Sequence, residues 1–362
     1  MRIIEDRRAL HRIPELDRNL PKTMAYLQEA LSGLNCQVFS PMEGALCAWF
    51  DFGQEQAIAF RADADALPIA ETTGAAYASC HPGAMHACGH DGHMAILLEL
   101  ARRLSKKREL ANNVLLVFQP AEETTGGARD LCQTGIFSRR GVRAIFGLHL
   151  WPGLEAGVIH SRKGAMMARS SEVTVDIYGK SAHIARAGQG IDALAAGAEL
   201  YRRAAELEKN YPGQDFRLLK FGLFQSGTVR NALSAHTHLE GTLRAFRDPV
   251  FEGLREGLLE IGREVEKSRG TRVEITFSDG YGAVWNPEDL YDQVAAMVPI
   301  APLAAPALTA EDFSWYQRYL PGLFFFLGLG DTPALHASNF SFDETILTKG
   351  ADFLEALAVK FP

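Results

Sequence analysis

The stretch "HMAILLELARRL", from His93 to Leu104, has apolar residues at the spacing of a helix that buries one face. Short apolar runs lie on either side of it, "AIAF" (Ala57 to Phe60) before and "VLLVF" (Val114 to Phe118) after. A third run, "AIFGLHL" (Ala144 to Leu150), follows. This alternation predicts an α/β domain with a largely parallel sheet and flanking helices. Asp91 is the predicted N-cap of the helix.

The middle of the chain has a different pattern. "EVTVDIY" (Glu172 to Tyr178) alternates apolar and polar residues, as a half-buried strand does. Helical and strand patterns then follow in the order βαββαβ, which predicts an inserted ferredoxin-like domain. "LFFFLGLG" (Leu323 to Gly330) returns to the pattern of a buried strand. We therefore predict a discontinuous main domain, 1–167 and 281–362, with an inserted domain at 168–280.

Composition and charge exclude several classes of protein. The chain has 362 residues, 47% of them hydrophobic, and a net charge of -7, which argues against a general nucleic-acid binder. Its longest apolar run, Val294 to Leu308, is too short to span a membrane and contains prolines. The N-terminus is charged where a signal peptide needs an apolar core. The five cysteines form no CxxC pair, so we expect a reducing, cytoplasmic setting.

Side chains that bind metals are concentrated in the loop "MHACGHDGHM", Met85 to Met94. Cys88 and His90 are two residues apart, and thiolate and imidazole are good ligands for zinc and similar divalent ions. A lone histidine or cysteine in such a chain is more often a packed or surface residue, and the glycine and aspartate of "CGHDGH" also suit an ordinary helix start. Because Cys88 and His90 alone would make a weak site, further ligands are needed.

Three other segments offer such ligands where predicted strands end. "QPAEE" carries Glu122 and Glu123, "GLHLW" carries His149, and "ALHAS" carries His336. Ligands of open α/β sheets bind at the carboxyl ends of the strands, so these segments can meet at one edge. One glutamate can then bind a metal while the other takes a proton from an activated water molecule. Considered separately, an adjacent glutamate pair is usually a solvated turn and a single histidine is usually structural.

Seven motifs resemble, in order, one branch of the M20 metallopeptidase family. They are "FRADADALPIAE", "GAMHACGHDGHM", "VFQPAEE", "GLHLWP", "GKSAH", "GTLRAF" and "TAEDF…LFFFLGLG…ALHAS". That branch contains aminoacylases, hippurate hydrolases, auxin-conjugate amidohydrolases and N-acetyldiaminopimelate deacetylases. The resemblance implies a metal-dependent amidohydrolase that cleaves an N-acyl amino acid with two divalent ions (Zn, Mn, Co or Ni).

Carried over to this chain, the resemblance implies a set of site residues. The implied metal ligands are Cys88, His90, Glu123, His149 and His336, with Glu122 as the general base. His183 would stabilise the oxyanion, and Asn231 and Arg244 would hold the substrate carboxylate. Asp63 and Asp65 would orient ligands, with turn residues that cap the core as the alternative. His86 and His93 flank the metal loop, and this position makes them candidates for hydrogen bonds beside it. The inserted domain would act as a lid and form a homodimer.

The chain departs from the family in two segments. It has "SAHIARAG" where relatives often read "GGHAA.PH", and "NALS" where they read "NVIP". Both departures lie in substrate-recognition segments, so they leave the acyl group and the amino acid open. The short length and the "LTAEDF…ALHAS" segment lean towards the N-acetyldiaminopimelate deacetylase type.

Two other classes of function are weighed against this reading. One is a thiol hydrolase with Cys88 as nucleophile and His90 as base, and the other is a non-catalytic binding protein on the same scaffold. The chain has no GxSxG, HExxH or Walker-type phosphate loop, which removes the commonest other enzyme classes.

Overall fold

A computed structural model describes all residues, 1–362, and confirms the predicted mixed α/β class. The strands are β1 Gln37–Phe39, β2 Leu46–Phe50, β3 Ala57–Asp63, β4 Asn113–Gln119, β5 Val142–Trp151, β6 Ile159–Ser161, β7 Gly164–Met167, β8 Arg169–Tyr178, β9 Arg217–Ser226, β10 His236–Ala245, β11 Arg272–Phe277, β12 Val284–Asn286, β13 Ala301–Pro302 and β14 Gly322–Gly328. The helices are α1 Arg2–His11, α2 Pro21–Leu31, α3 His90–Leu104, α4 Gly127–Gln133, α5 Ile136–Arg139, α6 Ala193–Asn210, α7 Asp248–Arg269, α8 Glu288–Ala295 and α9 Leu347–Lys360. Short 3₁₀ helices span Ile184–Gln189, Asp312–Arg318 and Glu344–Ile346.

The chain divides into two compact units. The first consists of Met1–Met166, Val284–Pro306 and Asp312–Pro362, and the second of Met167–Ala283 and Ala307–Glu311. The inserted domain predicted at 168–280 falls within the second unit. The short segment Ala307–Glu311 also belongs to that unit, although the predicted boundaries placed it in the main domain.

An eight-stranded sheet in the order β1-β2-β4-β3-β5-β14-β6-β13 organises the first unit. Its centre is parallel, because β3 pairs in parallel with β4 and β5, and β14 pairs in parallel with β5. These strands are buried along their whole length or most of it, as expected where helices cover a parallel sheet. The carboxyl ends of four neighbouring strands therefore lie at one edge of the sheet.

Helix α3 carries the stretch that predicts the fold. It packs against β3 and contacts α1 and α9, and most of its residues are buried. Gly92 has no room for a larger side chain, because a Cβ there would lie 2.6 Å from Leu150 Cδ1. The close fit of α3 on the sheet fixes the loop that precedes it.

The second unit is built on an antiparallel sheet in the order β11-β8-β10-β9. One face of this sheet is apolar and packs with α6 and α7 around Val175, Ile177, Leu239 and Leu243. Strand β8 shows the alternating burial that "EVTVDIY" predicts. None of the nine helices of the chain combines the length and the apolar character needed to cross a membrane.

Candidate metal centre

The cysteine and histidine loop ends where α3 begins. Gly89 has the left-handed conformation, with φ 87°, and α3 starts directly after it at His90. A Cβ at residue 89 would also lie 3.2 Å from Leu150 Cδ1, so glycine suits both the turn and the packing. Cys88 therefore lies in the loop, whereas His90 is in the first helical turn.

The prediction that Asp91 caps α3 is wrong, because Gly89 occupies the cap position and no side chain caps the helix. The carboxylate of Asp91 is buried and has other partners. It lies 2.7 Å from Arg7 Nε and accepts a hydrogen bond from His11 Nδ1 at 2.8 Å. Both partners belong to α1, so Asp91 ties the start of α3 to the N-terminal helix.

Asp65 holds the two adjacent glutamates in place. It follows the end of β3, and its two carboxylate oxygens accept the backbone N–H groups of Glu122 at 2.9 Å and Glu123 at 3.0 Å. Burial raises the pKa of Asp65 to about 7. Ala121, just before the glutamates, has φ 60°, so the backbone turns sharply there. One buried carboxyl group thus sets the positions of both glutamate side chains.

Cys88 lies among donors from three other segments. Its Sγ is 3.5 Å from His149 Nε2 on β5 and 3.3 Å from His336 Nε2. Glu123 Oε1 is 3.4 Å from His336 Nε2 and 3.7 Å from His90 Nε2. The structure thus brings together all five residues that the resemblance implies as metal ligands.

Hydrogen bonds fix which ring nitrogen of two histidines faces the cluster. His90 Nδ1 donates to the carbonyl of Asp65 at 2.8 Å, and His149 Nδ1 donates to the carbonyl of Leu150 at 2.7 Å. In the neutral rings this leaves a lone pair on each Nε2, which is the arrangement of metal-binding histidines. His90 Nε2 and Glu123 Oε1 are buried and have no hydrogen-bond partner. These converging lone pairs fit a divalent ion.

The electrostatics of the cluster also favour a cation. Burial would lower the pKa of His90, but the carboxylates of Asp63, Glu123 and Asp65 raise it to about 9. Burial and the neighbouring carboxylates raise the pKa of Cys88 well above its ordinary value. A thiolate therefore requires additional positive charge beside it. Burial lowers the pKa of His149 well below its ordinary value, so this ring is neutral.

This geometry counts against the thiol-hydrolase alternative. The imidazole nitrogens nearest to Cys88 Sγ belong to His149 and His336, whereas that alternative names His90 as the base. A raised pKa also makes Cys88 a poor nucleophile without a cation.

Asp63 and His93 support the cluster from the interior. His93 Nδ1 donates to Asp63 Oδ1 at 2.6 Å, and His93 Nε2 accepts the backbone N–H of Leu150 at 2.9 Å. Burial would raise the pKa of Asp63, but His90, Arg61 and His93 hold it well below its ordinary value. His86 has no hydrogen-bond partner at either ring nitrogen, so the hydrogen bonds suggested for it are wrong.

Sequence reasoning missed a buried network that surrounds Glu122. The backbone N–H of Asp312 donates to Glu122 Oε1 at 3.4 Å. The side chain of Asp312 accepts from Arg61 at 2.7 Å, from Gln119 at 2.7 Å and from the N–H of Ala128 at 3.0 Å. Arg61, Gln119, Glu122 and Asp312 lie inside the motifs "FRADAD", "VFQPAEE" and "TAEDF", which were the only signal of this network in the sequence, whereas Ala128 lies outside them.

The remaining predicted site residues belong to the second unit. His183 is exposed before the 3₁₀ helix Ile184–Gln189, and its Nδ1 accepts the N–H of Ala185 at 3.1 Å. Asn231 is exposed close by, since its carbonyl accepts the N–H of Ile184 at 3.0 Å. Arg244 lies on β10 and donates to the carbonyl of Leu308 at 2.6 Å. Their roles in substrate binding stay predictions.

The sequence of this chain matches a known family over most of its length. Residues 59–360 match the profile of peptidase family M20/M25/M40. The chain belongs to this family. The resemblance noted in the sequence is thereby confirmed, and the chain is a hydrolase of the M20 type.

Individual M20 relatives agree with this assignment over nearly the whole chain. The chain is 33% identical to an N-acetyldiaminopimelate deacetylase of Lacticaseibacillus paracasei, covering 96% of this chain and 94% of the relative. It is 31% identical to an uncharacterized hydrolase of Staphylococcus saprophyticus, covering 98% and 96%. A solved structure of a dinuclear metal-binding M20 peptidase from Bacillus subtilis superposes with a TM-score of 0.85 at 29% identity, covering 99% and 97%.

Proposed function

We propose that this M20 hydrolase cleaves the amide bond of an N-acyl amino acid and that N-acetyldiaminopimelate belongs to its substrate class. The observation that carries the proposal is the convergence of Cys88, His149 and His336, from three distant segments, beside Glu123. The 33% identity to a named N-acetyldiaminopimelate deacetylase supports the substrate class.

We infer that Cys88, His90, Glu123, His149 and His336 hold two divalent ions, as in the dinuclear relative. Such ions lower the pKa of bound water and polarise a carbonyl oxygen. Thiolate, imidazole and carboxylate ligands suit Zn, Mn, Co or Ni. All five cysteines of the chain are free thiols, which supports the proposed reducing, cytoplasmic setting.

Glu122 is the proposed general base. It is buried, and one of its carboxylate oxygens lies within 4.8 Å of the ligand atoms of both His90 and Glu123. Glu122 removes a proton from the attacking water and then delivers it to the leaving nitrogen, so that an acid and an amino acid are formed. A carboxylate that shuttles one proton in this way contributes about 10²–10⁴-fold to the rate.

We assign substrate recognition to polar groups of the second unit. The planar guanidinium of Arg244 can pair with both oxygens of the substrate carboxylate, and the amide of Asn231 can donate to the same group. His183 is the proposed donor to the oxyanion that forms on the acyl carbonyl. Both His183 and Asn231 are exposed and neither side chain is packed in the core, as a substrate-binding role requires.

We also propose that the second unit forms a homodimer. Exposed apolar side chains occur on α6, on β9 and in the loop that follows β9. Tyr201 and Phe224 are in ring contact, and Leu194 and Val229 line the same cavity. Strand β9 is an edge of its sheet, which leaves backbone groups available for pairing. Tyr201→Glu should shift the protein from dimer to monomer in sedimentation. A wild-type protein that sediments as a monomer would refute this assembly.

The adjacent glutamates provide the decisive experiment on function. Glu122→Gln should lower kcat by about 10²–10⁴-fold with N-acetyl amino acids yet retain bound metal. Glu123→Gln should instead lose metal, because it removes a ligand. Metal analysis beside a hydrolysis screen of N-acetyl, N-succinyl and N-benzoyl amino acids separates the two results. Substantial activity in Glu122→Gln would contradict its role as base, and an inactive wild type would favour a binding protein.

A further inference from the structure

The sheet of the second unit has a polar face opposite its apolar core. A row of directly paired residues crosses all four strands on this face: Glu274 on β11, Asp176 on β8, His238 on β10 and Gln225 on β9. His236, two positions from His238 on β10, lies on the same face. No step of the proposed reaction uses these residues.

Two histidines of this face converge on one carboxylate oxygen. His236 Nε2 and His238 Nδ1 each lie 2.8 Å from Oδ1 of Asp176. The register of β8 and β10 places Asp176 directly opposite His238, so the paired strands set this geometry. The side chain of His236 is held by stacking on the ring of Tyr178, with ring centroids 5.0 Å apart.

A second carboxylate determines how His238 presents its nitrogen atoms. His238 Nε2 lies 3.1 Å from Oε1 of Glu240, so Nε2 carries the proton and donates. In the neutral ring Nδ1 then has a lone pair aimed at Asp176, which is unfavourable unless a proton or another cation lies between them. The three side chains thus bring two ring nitrogens and one carboxylate oxygen together around a single point, within reach of one ion.

We propose that Asp176, His236 and His238 bind a single divalent transition-metal ion such as Zn²⁺, separately from the catalytic centre. Imidazole and carboxylate are good zinc ligands, and a carboxylate that orients a ligand histidine is the usual supporting arrangement. With metal bonds of about 2.0–2.1 Å, tetrahedral ligand atoms lie about 3.4 Å apart, so the nitrogen–oxygen distances need to widen by only about half an ångström.

The surroundings leave room for a further ligand. His236 and His238 line a cavity of about 420 Å³ together with Ser226 and Ser234, so a water molecule can complete the coordination. Arg244, the proposed substrate residue, is six positions from His238 on the same strand, or about 20 Å at the rise of an extended chain. The proposed ion would join β8 to β10 without entering the catalytic chemistry.

Zinc stoichiometry provides the first test. The holoenzyme dialysed against ZnCl₂ should bind one more ion per chain than His236→Gln or His238→Gln, while all three retain hydrolysis. His81→Gln, which removes a histidine of the first unit, should bind as many ions as the wild type. Equal zinc content in the wild type and both cluster variants would overturn the proposal.

A matched pair of carboxylates provides the second test. Glu240→Gln should weaken the additional zinc site by about 10–100-fold, because it removes the group that orients His238. Glu274→Gln removes the same single negative charge on the far side of Asp176, where Glu274 is paired with Arg272. This variant should leave the zinc affinity unchanged. Equal losses in both variants would show general surface charge and overturn the specific site.

Discussion

Asp65→Asn is the substitution that tests most directly how the fold positions the metal centre. Each oxygen of Asp65 accepts one backbone N–H, from Glu122 at 2.9 Å and from Glu123 at 3.0 Å. Asparagine has one oxygen and one NH₂ group, so in either orientation one backbone N–H faces another donor. The carbonyl of Asp65 that accepts from His90 is unchanged, so the only hydrogen bonds lost are those to the two glutamates. His90 keeps its hydrogen bond but loses one neighbouring carboxylate charge.

The size of the effect follows from the number of hydrogen bonds lost. Above pH 7, where the carboxyl group of Asp65 is ionised, a hydrogen bond to this charged acceptor contributes about 1.5–3 kcal/mol, and the substitution removes one of two. Since about 1.4 kcal/mol corresponds to a factor of ten, we expect a loss of about 10–150-fold. The loss should appear in metal affinity when Glu123 is displaced and in kcat at saturating metal when Glu122 is displaced. Asp65→Ala removes both hydrogen bonds and should be worse in both respects.

Competition with a chromophoric chelator gives the metal affinity, and hydrolysis at saturating metal gives kcat. Asp17→Asn is a suitable control, because Asp17 accepts from Thr124 Oγ1 at 2.6 Å in the same loop but its asparagine retains an acceptor. Asp17 has φ 58°, a conformation that asparagine also tolerates. If Asp65→Asn kept both metal affinity and kcat within threefold of the wild type, the positioning role of this carboxyl group would be wrong.

Three further outcomes can be measured. Removal of divalent ions with a chelator should abolish hydrolysis and lower the thermal unfolding midpoint, because metal binds only the folded chain. Addition of Zn, Mn, Co or Ni should restore both the activity and the midpoint. Unchanged activity after chelation would contradict a metal centre. Gly147→Ala should destabilise the protein by about 1–3 kcal/mol and lower its thermal unfolding midpoint, because the new Cβ would lie 2.7 Å from the Phe324 ring. Gly222→Ala is the control: a Cβ there has no atom within 4 Å, so the midpoint should not fall. In metal-free protein the NMR titration midpoint of His238 should exceed its ordinary 6.5 and fall in Asp176→Asn, because the hydrogen bond to Asp176 raises this pKa. The contribution of protonated His238 to the stability of the folded protein is therefore complete below pH 6.5 and is lost as pH rises through the folded-state pKa. A titration midpoint at or below 6.5 would show that the hydrogen bond to Asp176 is weak.

Local patterns were sufficient to predict how the sheet collects the donor side chains. Buried apolar runs at β3, β4, β5 and β14 predict parallel core strands, and side chains just beyond such strands share one edge. For this reason Glu123, His149 and His336 could be expected to meet although they are far apart in the chain. The alternating pattern of β8 likewise predicts a sheet with one buried face.

Other features depend on contacts that no local pattern contains. Asp91 has the residue type of an N-cap, but the left-handed Gly89 takes that position and Arg7 and His11 engage the carboxylate. Propensity rules treat such an aspartate by its neighbours in sequence, whereas its partners are 80 or more residues away in α1. The assignment of Ala307–Glu311 to the second unit is also a long-range packing result.

The contact between Cys88 and His336, 248 residues apart, has a consequence for biosynthesis. While the chain emerges from a ribosome, the thiol is made long before its last imidazole partner. A nascent chain that stops before His336 therefore offers an incomplete set of the proposed ligands, and the proposed centre cannot be fully loaded until that residue has emerged. The order in which these residues occur thus sets the earliest point of synthesis at which metal uptake can be complete.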